Sequence, residues 1–221
     1  MRPNPVSRKH PLPGPLRLVA LVGVDGSGKT TQARRLAAWL TGAGFPALYG
    51  LNAGGRLWFG RFAQRLGRPN AQQLLGIGGM LVVESVLRGL AIARALLRAR
   101  LHNQVAVMDR YTVCQYANIR AHRGRGVRLG AGERLARWAY CLFLRPDVTF
   151  LLAVDPAEAY RRIEARGMDH ESLEFLIATA QAYQELPEAE DFVVIDANRG
   201  PDEVTHAILA FLTGAICQRK T

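Results

Sequence analysis

Eight residues near the start of the chain combine glycines with a lysine and a threonine at a spacing that suits phosphate groups. Residues 23–30 read GVDGSGKT, a complete GxxxxGKT pattern between an apolar run and a helical one. Glycines let the backbone turn its N–H groups toward phosphate oxygens, and the next helix attracts the same anion. In this pattern Lys29 reaches the β- and γ-phosphates, and the Thr30 hydroxyl is a ligand for Mg²⁺. The loop therefore predicts that ATP and Mg²⁺ are bound by Gly23, Gly26, Ser27, Gly28, Lys29, Thr30 and Thr31.

An aspartate and an arginine at the end of another apolar run extend this prediction. Residues 104–108 read QVAVM and are followed by Asp109 and Arg110. Asp109 could orient Mg²⁺ through Thr30 or through a water, or it could be the N-cap of a helix. Arg110 could grip a phosphate with its planar guanidinium, or it could form a surface ion pair. Because the chain has a phosphate loop, we favour the metal-binding role for Asp109 and the phosphate-binding role for Arg110.

Strand-like and helix-like segments alternate along the chain. Strands are predicted at 16–22, 46–49, 104–108, 148–154 and 192–195, and helices at 30–40, 71–100, 131–144, 156–166, 171–186 and 201–217. This alternation predicts an α/β fold of the P-loop NTPase type, with a parallel five-stranded sheet covered by helices on both faces in three layers. Ligands of such sheets bind beyond the carboxyl ends of the strands. Gly23, Asp109 and Asp155 fall at such ends, so we expect them along one edge of the sheet.

Length and composition indicate one globular domain with an N-terminal arm. The chain has 221 residues, enough for a single α/β domain at 16–221, whereas residues 1–15 hold five prolines and no apolar stretch. We predict a flexible arm there and no signal peptide. The most apolar run, 74–83, is too short to span a membrane. Three cysteines without metal-ligand spacing favour a reducing, cytoplasmic compartment.

The formal net charge of +11 favours anionic partners. It does not choose among nucleotides, nucleic acid and an anionic membrane surface, and an arginine-rich surface from a compositionally biased genome explains it equally well. The sequence shows no recognisable nucleic-acid module and no basic stretch studded with aromatic residues. We therefore expect a small-molecule partner and no specific nucleic acid.

Six segments together resemble the thymidylate kinase family of nucleoside monophosphate kinases. They are GVDGSGKTTQ at 23–32, DRY at 109–111, PDVTFLLAVDP at 146–156, ARG at 165–167, ESLEFL at 171–176 and VIDANRGPDEV at 194–204. The resemblance implies transfer of the γ-phosphoryl group of ATP, with Mg²⁺, to a nucleoside monophosphate, and dTMP is the first candidate. It also implies a possible homodimer, for which the apolar helix at 74–97 could serve, although packing in the core explains the apolar residues of this helix equally well.

The resemblance implies which residues hold the acceptor nucleotide. Asp25 would contact the 3′-hydroxyl group, and Arg110 would hold the phosphate, with Tyr111 next to it. Arg88 lies where the arginine of the family that contacts the base falls on its long helix. These residues form the implied acceptor half of the site.

The implied ATP half of the site is built from later segments. Arg162 and Arg166 would belong to a lid at about 162–172, with Arg166 stacking on adenine. Ala197 and Asn198 would line the adenine pocket. The residues implied to act in catalysis are Lys29, Asp25, Arg110, Arg162 and Arg166.

The acceptor segments depart from the pattern of the family. Cys114 stands where a serine is usual, residues 117–119 read ANI in place of AYQ, and residues 52–56 lack a glutamate and a proline. Glu84 stands near where an aromatic residue would stack on the base, or it simply forms an ion pair with Arg88, four residues later on the helix.

These departures keep two alternatives open. One is a kinase on the same scaffold whose acceptor is a sugar or a cell-envelope metabolite. The other is a nucleotide-binding protein without turnover. For an active kinase, the phosphate loop supplies no arginine, so the lid arginines, or Arg123 and Arg125, would supply one.

Overall fold

The computed structural model describes residues 16–52, 71–122, 130–167 and 171–217. The strands are β1 (Leu18–Val22), β2 (Ala47–Leu51), β3 (Val105–Asp109), β4 (Val148–Ala153) and β5 (Phe192–Asp196). The helices are α1 (Lys29–Gly42), α2 (Ala71–Leu101), α3 (Thr112–Ala121), α4 (Gly130–Tyr140), α5 (Pro156–Glu164), α6 (Leu173–Glu185) and α7 (Pro201–Cys217). A 3₁₀ turn covers Pro187–Asp191. The predicted N-terminal arm, Arg123, Arg125 and the centre of the predicted lid lie outside the described residues.

The five strands form one parallel sheet in the order β2-β3-β1-β4-β5. The prediction of a parallel five-stranded sheet is confirmed, and the sheet places β1 and β3 side by side at its centre. Leu21 on β1 is in register with Asp109 on β3. The phosphate loop that follows β1 and the acidic residue that ends β3 therefore meet at the carboxyl edge of the sheet.

Alternate residues of β1 point into two separate cores. Val19 and Leu21 pack with residues of α1, α5, α6 and α7 on one face of the sheet. Leu18, Ala20 and Val22 pack with residues of α2, α3, α4 and α6 on the other. Because side chains of a strand alternate between the two faces, a strand buried throughout requires cover on both. The predicted arrangement in three layers is confirmed.

The sequence did not predict helix α3. Nine of its ten residues are buried, so its apolar and polar side chains do not separate into an inner and an outer face. Helix α4 was predicted to continue to residue 144, but it ends at Tyr140 and gives way to turns. Pro146 disfavours a helical conformation for the residue before it, which suits an irregular connection into β4.

No described helix combines the length and apolar character needed to cross a membrane. The long helix α2 contains buried charged residues, Glu84 and Arg88. These two residues pair with each other inside the protein.

A buried carboxylate ties three helical segments together behind the sheet. Glu133 on α4 accepts hydrogen bonds from Arg120 at 2.8 and 3.0 Å and from Arg137 at 3.1 Å. Arg137 also contacts Glu188 of the 3₁₀ turn at 2.5 Å. Burial alone would raise the pKa of Glu133, but the hydrogen bonds from Arg120 and Arg137 outweigh it and hold that pKa below its ordinary value. The network therefore favours the ionised form.

We expect Glu133→Gln to lower the free energy of unfolding by roughly 2 kcal/mol near neutral pH, because hydrogen bonds to a charged group are lost. A carboxylate whose pKa is lowered by folding stabilises fully above its unfolded pKa of about 4.3, and this contribution is lost as the pH falls through the folded value. Urea unfolding of both proteins as the pH is lowered would measure it. The difference should shrink in acid, and a difference that is independent of pH would contradict the assignment.

Candidate active site

The loop after β1 has a backbone that only glycine accommodates at a critical turn. Gly26 has a φ of +81°, and a Cβ atom there would lie 2.5 Å from the carbonyl oxygen of Ala159 on α5. Left-handed backbone and a clash with a main-chain atom both exclude larger residues. The glycine of the motif at position 26 therefore lets the loop pack against α5.

The N-terminus of α1 faces open space. Gly28 is its N-cap with a φ of +89°, and a Cβ atom at this position would meet no atom within 4 Å of those described. Among the described residues no side chain caps the helix, and its first turn holds no acidic residue. A helix end with uncapped N–H groups and a positive dipole binds anions. This cradle fits the phosphate groups of a nucleotide.

Two oxygen atoms lie close together where a magnesium ion is predicted. The Thr30 hydroxyl donates to Oδ2 of Asp109 at 2.5 Å, and the Tyr49 hydroxyl donates to the same oxygen at 3.1 Å. The other oxygen, Oδ1 of Asp109, is buried and has no hydrogen-bond partner among the described residues. A hydroxyl next to an incompletely paired carboxylate fits the oxygen ligands or water contacts that Mg²⁺ prefers. Asp109 is not the N-cap of α3, since Tyr111 holds that position.

Lys29 lies folded against the loop that it belongs to. Its side chain is buried, and Nζ donates to the carbonyl of Val24 at 2.6 Å and lies 3.4 Å from Oδ1 of Asp25. Burial lowers the pKa of Lys29, and the nearby guanidinium of Arg110 lowers it further. A phosphate group in the cradle would favour the charged ammonium. Lys29 thus lies at the phosphate loop, and a bound phosphate group would stabilise its ammonium charge.

Asp25 and Arg110 form an ion pair beside the cradle. Nη2 of Arg110 donates to Oδ1 of Asp25. Burial alone would lower the pKa of Arg110, but the carboxylate of Asp25 and other neighbours raise it overall, so the guanidinium stays charged. The backbone of Arg110 has a φ of +73°, an uncommon conformation for a residue with a side chain. Strain of this kind concentrates at functional sites.

Two cavities of about 300 Å³ each flank the phosphate loop. One is lined on its polar side by Asp25, Lys29, Thr30 and Arg110. The other lies between the loop and the segment that follows β5. Arg166 lines both cavities. The structure therefore provides two adjoining spaces, one next to the Asp25–Arg110 pair and one next to residues 197–201.

The residues predicted around adenine border the second cavity. Arg162 donates to the carbonyl oxygens of Ala197 at 3.0 Å and Asn198 at 3.4 Å, and it is held by Glu158 at 2.8 Å. Arg162 therefore braces this segment in the structure, whereas Arg166 is exposed. The catalytic role of both arginines stays a prediction.

Two predicted acceptor residues, Tyr111 and Arg88, line neither of the two cavities at the loop. Tyr111 is only 2% exposed, and its hydroxyl donates to the carbonyl of Leu144 at 2.7 Å. Tyr111 lines a separate cavity of about 810 Å³, and its contact with the acceptor stays a prediction. Arg88 is buried on α2, where it pairs with Glu84.

Two tyrosines at the site were not identified from the sequence. Tyr49 donates to Asp109, and Tyr183 on α6 donates to the carbonyl of Gly23 at 3.3 Å. Burial, and then the nearby Cys114, raises the pKa of Tyr183, so its phenol stays a donor. The only local signal for Tyr49 was its position at the end of the predicted strand at 46–49, although the observed β2 continues to Leu51. Nothing in the sequence around Tyr183 indicates its contact, because Gly23 is distant along the chain.

Comparison with known proteins gives one consistent result. The Thymidylate kinase family model matches residues 85–208, more than half of the chain. A thymidylate kinase from Cutibacterium acnes is 31% identical over 203 residues, which cover 90% of this chain and 97% of that protein. Thymidylate kinases from Bifidobacterium longum subsp. infantis (33% over 208 residues, 87% and 84% covered) and Neisseria gonorrhoeae (30% over 204 residues, 90% and 97% covered) are also similar. The chain, with its phosphate loop, its Asp109 oxygens and its Asp25–Arg110 pair, belongs to the thymidylate kinase family of ATP-dependent nucleoside monophosphate kinases, which use Mg²⁺.

Proposed function

We propose that this protein transfers the γ-phosphoryl group of ATP to dTMP, forming dTDP and ADP. One observation carries the proposal: the cradle at Gly28 and the Thr30–Asp109 pair stand directly beside the Asp25–Arg110 ion pair, in a cavity large enough for phosphate groups. A phosphoryl donor and a phosphoryl acceptor both need cationic, hydrogen-bonding surroundings, and here the two sets of groups adjoin. Membership of the family adds the expectation for the nucleotide acceptor.

The donor half of the proposed site uses the loop and the second cavity. Lys29 would hold the transferred phosphoryl group, and Thr30 and Asp109 would hold Mg²⁺, which when bound would neutralise negative charge on the phosphates. Ala197 and Asn198 would line the adenine side, with Arg166 between the two cavities. We propose that Arg166, which lines both cavities, is better placed than Arg162 to reach the phosphates.

The acceptor half would use the Asp25–Arg110 pair. Arg110 would bind the acceptor phosphate bidentately, and Asp25 would accept a hydrogen bond from the sugar hydroxyl. In the structure Arg110 donates a hydrogen bond to Asp25. Binding of the acceptor would therefore replace part of the Asp25–Arg110 ion pair by contacts to the nucleotide. The affinity for the acceptor would reflect the free energy of the new contacts minus that of the lost ion pair.

The experiment compares acceptors. ADP release from ATP and Mg²⁺ would be followed with dTMP, dUMP, dCMP, dGMP, a panel of sugars, and no acceptor. We expect turnover with dTMP well above all non-nucleotide acceptors. The relatives that match most of the chain are thymidylate kinases, which favours a nucleotide over the sugar or cell-envelope alternative. Turnover with a sugar and none with any monophosphate would reverse this conclusion, and binding of ATP without any turnover would support the non-catalytic alternative.

Residues 16–221 would act as a single kinase domain, with the lid at about 162–172 closing over the nucleotide. We propose that it works in the cytoplasm, where dissolved nucleotides are its substrates. The free cysteines Cys114, Cys141 and Cys217 suit that reducing compartment.

We also propose that the protein is a homodimer. One face of α2 carries five apolar side chains that are 54–73% exposed, namely Val82, Val86, Leu90, Leu97 and Leu101. Their spacing forms one continuous stripe, which a second copy would cover by the same surface. Light scattering across a dilution series should give twice the 24.3 kDa mass. Leu90→Glu should give a monomer, because an isologous interface receives the charge twice, and a wild-type monomer at all concentrations would exclude the dimer.

A further inference from the structure

A buried polar cluster joins α2 to α3 beyond the phosphate loop. Glu84 accepts from Nη2 of Arg88 at 2.5 Å with one oxygen and from Nδ2 of Asn118 at 3.3 Å with the other. Glu84 is 2% exposed, Arg88 5% and Asn118 8%. Next to them, the side-chain amide of Gln115 donates to Ser85 at 2.9 Å. Four polar residues of two helices are thus withdrawn from water together.

The guanidinium of Arg88 has donors that this cluster does not use. Its Nε and Nη1 atoms are buried and have no hydrogen-bond partner among the described residues. Buried polar groups in proteins are almost always paired, and unpaired donors of a charged group are especially unfavourable. Glu84 already neutralises the charge of Arg88, yet two donors of the guanidinium lack an acceptor atom among the described residues. A bound ligand would supply one.

Glu84 is therefore more than a counter-ion to a helical neighbour. A pair four residues apart on one helix, if exposed, would be free to separate. Here Asn118 holds the second oxygen of the carboxylate from the opposite helix, so the carboxylate cannot rotate without breaking a hydrogen bond. The Nη2 end of the Arg88 guanidinium is consequently held against a carboxylate oxygen that is itself fixed, and burial restricts the rest of the side chain.

We propose that Glu84, supported by Asn118, is a positioning residue that fixes Arg88 to donate to a carbonyl oxygen on the base of the acceptor nucleotide. This inference rests on the proposed function. A ring carbonyl accepts hydrogen bonds, whereas an amino group at the same ring position donates them and would leave the donors of Arg88 unpaired. The guanidinium therefore selects bases with a carbonyl group at that ring position, such as thymine and uracil at C4, against cytosine, which carries an amino group there. Its effect is on recognition of the acceptor and not on phosphoryl transfer.

The experiment measures how Glu84→Gln changes the kinetic constants for each nucleotide. We expect the KM for dTMP to rise about tenfold, since a weakly held guanidinium donates less well. The kcat and the KM for ATP should stay within about twofold, and the preference for dTMP over dCMP should fall by a similar factor of about ten. Asn118→Ala should change the same constants in the same direction, so the test stands if Glu84→Gln folds poorly.

Two controls separate positioning from general loss of stability. Glu133→Gln removes another buried carboxylate that binds arginines, and it should leave the KM for dTMP unchanged. In an Arg88→Met background, Glu84→Gln should have no further effect on the KM for dTMP, because its partner is gone. If the wild type phosphorylates dTMP but Glu84→Gln and Asn118→Ala leave its KM and its base preference unchanged, the inference is wrong and the proposed function stands. If the wild type neither binds nor phosphorylates dTMP, the proposed function itself fails.

Discussion

Replacing Lys29 by methionine should reduce phosphorylation of dTMP by about a thousandfold or more, which corresponds to at least about 4 kcal/mol of transition-state stabilisation. The ammonium lies within the phosphate loop, 3.4 Å from Asp25, and carries a charge that burial disfavours. Charge that develops on the transferred phosphoryl group would be the compensating partner. Methionine keeps the length of the side chain and removes this interaction.

The same substitution should not weaken the fold. Because burial lowers the pKa of Lys29, its ammonium is held in the folded state at a cost, and an apolar side chain of similar size avoids that cost. Thermal unfolding should therefore show an unchanged or higher Tm. Arg35→Met is the matched control, since Arg35 lies on the same helix, pairs with Asp202 at the surface and faces no part of the proposed site. Equal activity in the two variants would contradict the role assigned to Lys29.

Gly28→Ala should weaken ATP binding by about a hundredfold, or about 2.7 kcal/mol. The added methyl group would enter the space in front of the α1 N-terminus, where no described atom lies within 4 Å of its position. That space is the one proposed for phosphate oxygens, which approach the backbone closely. The loss would therefore come from the ligand and not from a clash within the protein.

Gly44→Ala provides the control for backbone strain. Gly44 has a φ of +85°, close to the +89° of Gly28, and a Cβ atom there also meets no described atom within 4 Å. Both variants should lose about 1 kcal/mol of stability from a left-handed conformation. Calorimetric titration with ATP should distinguish them, with normal affinity for Gly44→Ala. If both variants bound ATP equally well, the cradle would lie elsewhere.

Structural features that depend on a few adjacent residues could be predicted from the sequence. The phosphate loop, the five strands and the strand end at Asp109 each depend on a few adjacent residues, and the parallel order of the sheet brings them to one edge. Membership of the family was also recognisable from six short segments in order. Local patterns therefore sufficed for the parallel sheet and for the position of the phosphate loop at its carboxyl edge.

Features that depend on distant contacts were not predictable. Helix α3 is buried on nearly all sides and gives no amphipathic pattern. Tyr111 follows Arg110 directly, yet its side chain turns into the core and bonds to Leu144, since consecutive residues do not share a direction. From the sequence, Glu84 could equally lie near the base or form an ion pair with Arg88 on the same helix. Its hydrogen bond from Asn118 comes from another helix, and such a contact cannot be deduced from the local sequence.

The most direct test of the account is to identify the product. The purified chain would be incubated with ATP, Mg²⁺ and dTMP, and the nucleotides would be separated and quantified. We predict that dTDP and ADP appear in equal amounts and that both form at least about a thousandfold more slowly with the Lys29→Met variant. ADP without dTDP would contradict transfer to dTMP and leave only ATP hydrolysis or another acceptor, and the absence of both products would contradict the proposed function altogether.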